Sequence, residues 1–232
     1  MYRISIKINP HNFINSQKQI FLQYCDFNVA LLSFYQKYKF PKSIILYPDS
    51  FAVYFILKYF YFKKVKLNVS TDIQNATLQM ADKNKKNIFL FGASEHTLEK
   101  VVFKIKSRYN NLTIKGYHNG FDYDESKIID IINSSQSDIL YVGLGLTRQE
   151  SFLIRYYDKL NPNLIISVGG WFEYLAGNIK RAPRIIRVLH LEWLFKLIVE
   201  FRRVWKRYLL DLPIFIYLIL TKKIFFEISD ET

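Results

Sequence analysis

The stretch richest in potential chemistry is Asp138-Ile-Leu-Tyr-Val-Gly-Leu-Gly-Leu-Thr-Arg-Gln-Glu150. It reads as a buried strand, a Gly-x-Gly turn and a helix start that carries the polar pair Gln149 and Glu150. Such a turn can offer backbone N–H groups to a diphosphate at a helix N-terminus. It can equally be a plain strand-to-helix turn. It is not the dinucleotide fingerprint, because Arg148 stands at the third glycine position, and no Walker A sequence occurs. A second stretch runs from Val168-Gly-Gly-Trp-Phe-Glu173 to Lys180-Arg-Ala-Pro-Arg184, followed by His190-Leu-Glu-Trp193. Glu173 follows a strand-end glycine pair, so the expectation is that Gly143, Gly145, Gln149 and Glu173 line one crevice. Asp49, in Tyr47-Pro-Asp-Ser50, ends another predicted strand. A carboxylate there can accept a proton, and Pro-Asp-Ser is also ordinary turn chemistry. His118 is a base, a phosphate donor or a structural histidine. The four histidines show no metal-ligand spacing, and Asp122-x-Asp124 reads as a solvated loop in preference to a metal pair.

The elements that must position these residues are strands alternating with helices. Predicted strands cover Ser43–Tyr47, Asn87–Phe91, Leu112–Lys115, Asp138–Val142 and Leu164–Val168; helical patterns cover Glu95–Arg108 and Gln149–Leu160. This alternation predicts an α/β fold with a Rossmann-like, mainly parallel sheet and helices on both faces. Ligands of such sheets bind outside the carboxyl ends of the strands, where these glycines fall.

Beyond Gly177 the composition changes. Lys180 to Arg207 holds nine Lys/Arg against two Glu, out of a whole-chain charge of +13. Lys196, Arg203 and Arg207 are spaced to share one face of a single helix. Leu194, Phe195, Ile198 and Trp205 supply an apolar stripe, and the run Leu209–Leu220 follows. The sequence thus divides into a core over residues 1–185 and a basic amphipathic helical appendage over 186–232, expected to lie on an anionic membrane surface and to be dispensable for the core fold. A basic nucleic-acid-binding module is the alternative. The long apolar run beside the cations favours lipid, so no nucleic-acid partner is expected. One cysteine, Cys25, excludes an intrachain disulfide. The N-terminal residues are too polar for a secretory leader, and no uncharged apolar stretch reaches spanning length.

These motifs resemble the signature of the WecG/TagA/CpsF glycosyltransferases, glycosyltransferase family 26. The matching positions are Gly143, Gly145, Gln149, Glu150, Gly169, Gly170, Phe172, Ala176, Gly177, Arg181, Ala182, Pro183, Leu191, Glu192 and Trp193. Upstream, Pro48-Asp-Ser50 is similar to the family's P-D-G, Ser70-Thr-Asp72 to its G-T-D, and Gly116-Tyr-His-Asn-Gly-Phe121 to its G-x-x-H-G-Y/F. The resemblance covers about Leu46 to Arg207. Thr147 replaces the usual Pro, Glu173 the usual Asp and Lys196 the usual Arg.

The resemblance implies an inverting transfer from a UDP-sugar (N-acetylmannosamine, N-acetylmannosaminuronic acid or glucose type) to a polyprenyl-diphosphate-linked acceptor in bacterial cell-surface polysaccharide synthesis. It implies no metal and no other cofactor, and peripheral attachment at the cytoplasmic face of the membrane. Asp49 becomes the catalytic base. Asn28, Thr71, Asp72, Gly143, Gly145, Gln149, Glu150, Glu173, Lys196, Arg203 and Arg207 become substrate-binding residues. The departures leave a catalytically inactive scaffold of a polysaccharide complex as a further alternative.

Overall fold

The computed structural model describes residues 2–7, 19–41, 43–65 and 69–229. In chain order its first part runs β1 (Tyr2–Lys7), β2 (Ile20–Cys25), α1 (Phe27–Gln36), β3 (Ile44–Pro48), α2 (Phe51–Tyr59), α3 (Ser70–Lys83), β4 (Asn87–Gly92) and α4 (Glu95–Lys106). There follow β5 (Thr113–His118), α5 (Glu125–Ser134), β6 (Ile139–Gly143), α6 (Arg148–Tyr156), β7 (Leu164–Ser167) and α7 (Trp171–Ala176). The main sheet is parallel throughout, in the order β3-β2-β7-β6-β4-β5. This is the expected α/β architecture.

Side chains alternate across each strand, so the buried runs feed two separate cores. Phe21, Leu46, Phe89, Leu140 and Ile165 face α1, α2, α5 and α6. Leu22, Ile45, Leu90, Tyr141 and Ile166 face α3, α4 and α7. All residues of β3, β6 and β7 are buried, as helices on both faces require. Asp124, one half of the Asp-x-Asp pair, caps α5 by accepting from the backbone N–H groups of Ser126 and Lys127 at 3.0 and 2.9 Å.

After α7 come α8 (Arg184–Val188), α9 (Glu192–Val199), α10 (Phe201–Lys206), a π turn (Arg207–Asp211), α11 (Leu212–Leu220) and β8 (Ile224–Ser229). β8 pairs in parallel with β1, from Tyr2 opposite Ile224 to Lys7 opposite Ser229. Ile4, Ile6, Phe215, Leu218, Ile224 and Phe226 belong to the same buried cluster as Phe21 and Phe27. The division near residue 185 is therefore a change in composition and not a break in packing. Dispensability of the chain beyond about residue 190 does not fit this structure. The physical reason is that α11 is apolar all round: Phe215, Leu218 and Ile219 enter the core, while Ile216, Tyr217 and Leu220 remain exposed. No helix among the described residues is long and apolar enough to cross a membrane.

Candidate active site

Asp49 stands where β3 ends. Its backbone N–H donates to the Cys25 carbonyl at 3.1 Å, which ties it to the end of the neighbouring strand β2. Its Oδ1 accepts the Ser70 backbone N–H at 2.9 Å, at the first residue of α3, and Ser70 Oγ lies 3.4 Å from Oδ2. A helix N-terminus suits a carboxylate. Burial nevertheless pushes the Asp49 pKa up to about 6, and the Asp26 charge adds to this; the Ser70 N–H and Lys196 act the other way. Such a group is mostly ionised at neutral pH yet basic enough to take a proton. The next residue, Ser50, has φ 72° and ψ 150°, a conformation that favours glycine. This explains why the similar family motif carries Gly at that position.

Asp49 opens into a cleft of about 270 Å³ between the start of α3 and the C-terminal helices. Thr71, Asp72, Lys196 and Arg207 line it, as do Arg181, Arg187 and Glu192. Arg181 grips Asp72 with two bonds, Nη1 to Oδ1 at 2.6 Å and Nη2 to Oδ2 at 3.0 Å. Its Nε, 3.6 Å from Glu192 Oε1, and the Nε of Arg187 are buried without hydrogen-bond partners among the described residues. Arg181 is thus ion-paired with both Asp72 and Glu192, whereas the Arg187 Nε, a buried donor left unpaired beside the cleft, suits an anionic ligand. Lys196 sits over the Tyr174 ring at 5.5 Å. Burial works against its charge, but Tyr174, Glu192, Tyr208 and Asp49 together raise its pKa.

Arg207 is held from below. It bonds Asp26 Oδ2, and its Nε and Nη2 lie 2.5 and 3.2 Å from the Asn28 amide oxygen in the orientation that pairs them. Asp26 Oδ1 meanwhile caps α1 through the N–H groups of Asn28 and Val29, both at 2.9 Å. Asn28 is thus buried beneath the cleft wall and orients Arg207. Burial opposes the Arg207 charge, but Asp26, Tyr208, Tyr24 and Asp49 together raise its pKa.

The other expected residues lie elsewhere. Arg203 is exposed and pairs with Glu200, its Nε donating to Oε2 at 2.7 Å. The single helix that would align Arg203 with Lys196 and Arg207 is interrupted: Glu200 leaves helical geometry at φ −117°, ψ 31°, and a π turn begins at Arg207. Gln149 and Glu150 are fully buried. Gln149 Oε1 accepts the Gly169 N–H at 3.1 Å, locking the turn after β6 to the turn after β7. Glu150 accepts from Gln23, Gln149 and the Thr147 backbone, and burial raises its pKa to about 7. Glu173 turns to the opposite face of the sheet, accepting from Thr97 at 3.2 Å and Asn178 at 2.7 Å. The expected single crevice of Gly143, Gly145, Gln149 and Glu173 is therefore corrected: α6 packs on one face and α7 on the other. Gly143 is required by close approach, since a Cβ there would lie 2.7 Å from the Phe172 ring. Gly145 adopts φ +82° with open space around it.

Thr147 has φ 75° and donates its N–H to Glu150 Oε2 at 2.7 Å. Proline fixes φ near −65° and has no N–H. Thr147→Pro, which would restore the usual family residue, is expected to cost about 3 kcal/mol in urea unfolding. Unchanged stability would show that the turn adopts another geometry.

A family model described as the glycosyl transferase WecG/TagA/CpsF family matches residues 14–228. The chain belongs to the WecG/TagA/CpsF glycosyltransferase family. The match reaches further toward the N-terminus than the motifs alone and takes in α1, Asp26 and Asn28. Among its relatives, a Bacillus subtilis (strain 168) protein is 38% identical over 142 residues, which is 61% of this chain and 55% of the relative. A Bacillus spizizenii (strain W23) protein is 32% identical over 149 residues, 64% of this chain and 57% of the relative. A Staphylococcus aureus (strain NCTC 8325) protein is 28% identical over 152 residues, 66% and 59%. Each of the three is named N-acetylglucosaminyldiphosphoundecaprenol N-acetyl-beta-D-mannosaminyltransferase. The chain thus spans somewhat more than half the length of these relatives.

Sequence reasoning missed Asp26, Arg181 and Arg187 as site residues. Arg181 was visible as part of the Arg-Ala-Pro match, and Asp26 as an acidic residue before a helical run. Arg187 had no signal beyond the local charge. Among the described residues, no cluster of His, Cys, Asp and Glu is arranged to hold a metal.

Proposed function

We propose that this protein transfers a sugar from a UDP-sugar to a polyprenyl-diphosphate-linked acceptor at a membrane surface. The observation that carries the reading is the pairing, in one cleft, of a carboxylate of pKa about 6 with Arg181, Arg187, Lys196 and Arg207. Asp49 takes the proton of the acceptor hydroxyl as that oxygen attacks the anomeric carbon. A direct attack of this kind inverts the anomeric configuration. The cations neutralise the diphosphate of the leaving group, the role a divalent metal fills in other sugar transferases, so the reaction proceeds without one. The unpaired Nε donor of Arg187 suits that task, and the names of the relatives favour N-acetylmannosamine as the transferred group. The basic C-terminal helices, with exposed Ile198, Val199, Leu209 and Leu210, support peripheral attachment to the cytoplasmic face of the membrane.

Incubating the full chain with UDP-N-acetylmannosamine, UDP-N-acetylmannosaminuronic acid or UDP-glucose and a GlcNAc-diphosphate-lipid tests the reading. Release of UDP that depends on acceptor and proceeds in the presence of a metal chelator is the expected result. No acceptor-dependent release with any donor would refute it.

A further inference from the structure

A second cavity adjoins the cationic cleft. Its volume is about 450 Å³, within the ~300–1,000 Å³ typical of small-molecule sites. Two facing helices form its walls. Phe51 and Phe55 lie one turn apart on α2; Leu212, Ile216 and Leu220 lie at successive turns on α11. Phe27 also lines it. Ser50, Phe51, Trp193 and Tyr208 line both this cavity and the cleft of Asp49, so the two are continuous. Arg187, Lys196 and Arg207 stand at one end, and beyond the four shared residues the lining is wholly apolar.

The outer rim is unusually apolar for a surface. Phe55, Phe60, Ile216 and Leu220 are 43%, 52%, 43% and 57% exposed. An apolar face of this kind marks a site of interaction. Exposed Lys58 follows Phe55 on α2, and exposed Lys222 and Lys223 follow α11. A peptide segment entering the groove would leave its N–H and C=O groups unpaired, because the lining past the junction holds no donor or acceptor. A hydrocarbon chain has no such need. The change from cations to hydrocarbon along one continuous cavity fits an amphiphile with an anionic head.

We propose that the groove between α2 and α11 binds the first isoprene units of the acceptor's polyprenyl chain while the adjoining cleft holds its diphosphate. This rests on the transferase reading, and it sets the acceptor's diphosphate beside Lys196 and Arg207 in the same cleft whose Arg187 meets the diphosphate of the leaving group. It makes α2, within the N-terminal half of the chain, part of the lipid-binding surface. The chain bound in this way also fixes how far the acceptor sugar can reach toward Asp49.

The test is calorimetric binding of two sugar-free probes, farnesyl diphosphate and inorganic diphosphate, to the full chain. Farnesyl diphosphate is expected to bind at least tenfold more tightly. Ala52→Trp and Ile216→Trp fill the groove from opposite walls, and each is expected to abolish that advantage while inorganic diphosphate binding stays within twofold. Ile216 is an exposed position, so I216W still tests the groove if A52W fails to fold. Equal binding of the two probes by the wild-type chain, or an advantage that survives in a folded variant, overturns the proposal. So does a self-association that I216W dissolves without any farnesyl advantage, which would assign the groove to a second copy. Sugar transfer without the advantage sinks the groove alone; the advantage without transfer to any acceptor sinks the transferase reading alone.

Discussion

Asp49→Asn is expected to lower turnover by roughly 10²–10⁴-fold, the range for loss of a positioned general base. The substitution keeps the shape of the side chain and can still accept the Ser70 N–H through its amide oxygen, so donor affinity should change by less than twofold. The pH profile supplies a second readout. Asp49 must be ionised to take a proton, so wild-type activity should rise through about pH 6 and level off above it. Residual activity of the Asn variant should lack that limb. Stability moves in the opposite direction. An unfolded aspartate titrates near 3.9. Between about pH 4 and 6 the native side chain holds a proton that the unfolded one has lost, so native stability contributed here falls as pH rises through that window. Turnover within threefold of wild type would remove Asp49 from the mechanism.

Phe215→Ala is expected to destabilise the protein by about 3–5 kcal/mol, the usual cost of emptying a fully buried aromatic site. Phe215 is 0% exposed. Its ring centroid lies 6.0 Å from Phe27 and 6.3 Å from Phe226, joining α1, α11 and β8. Ile198→Ala, at a residue 71% exposed on α9, should by contrast fall within about 0.5 kcal/mol of wild type. Urea unfolding of both variants checks the comparison. A loss below 1 kcal/mol at Phe215 would mean that residues 186–232 pack loosely, as a separable arm. The result also bears on the cleft, because Lys196 and Arg207 lie on the same C-terminal stretch.

The alternating strands and helices were legible because β3, β6 and β7 are short, unbroken apolar runs. β2 was not: Gln23 interrupts it, and the partner that justifies a buried glutamine, Glu150, is 127 positions away in sequence. β1 and β8 escaped for a similar reason, since each is completed only by the other. Asp49 was legible as a polar residue at the end of an apolar strand. The polarity of Gln149 and Glu150 was visible too, but not its direction. Their side chains bond the turns around them and do not line the cleft. The appendage cations were read as one helical face, and the break at Glu200 turned Arg203 away. Periodicity assumes an uninterrupted helix, and no residue type at Glu200 announces the interruption.

The pairing of β1 with β8 also orders events during synthesis. Ile4 and Ile6 are made long before their strand partner, residues 224–229, which emerges only after some two hundred further residues have been translated. Contacts between such distant segments are slow to form, because the intervening chain must be closed into a loop. Until then, the apolar side chains that meet Phe215 and Phe226 lie open on the growing chain, a state prone to aggregation. Lys196 and Arg207 reach the cleft late as well, on the segment that leads into that closure. A ribosome-bound chain that has already placed Asp49 is therefore still without two of the cations beside it, so the cleft is completed only after Arg207 has emerged.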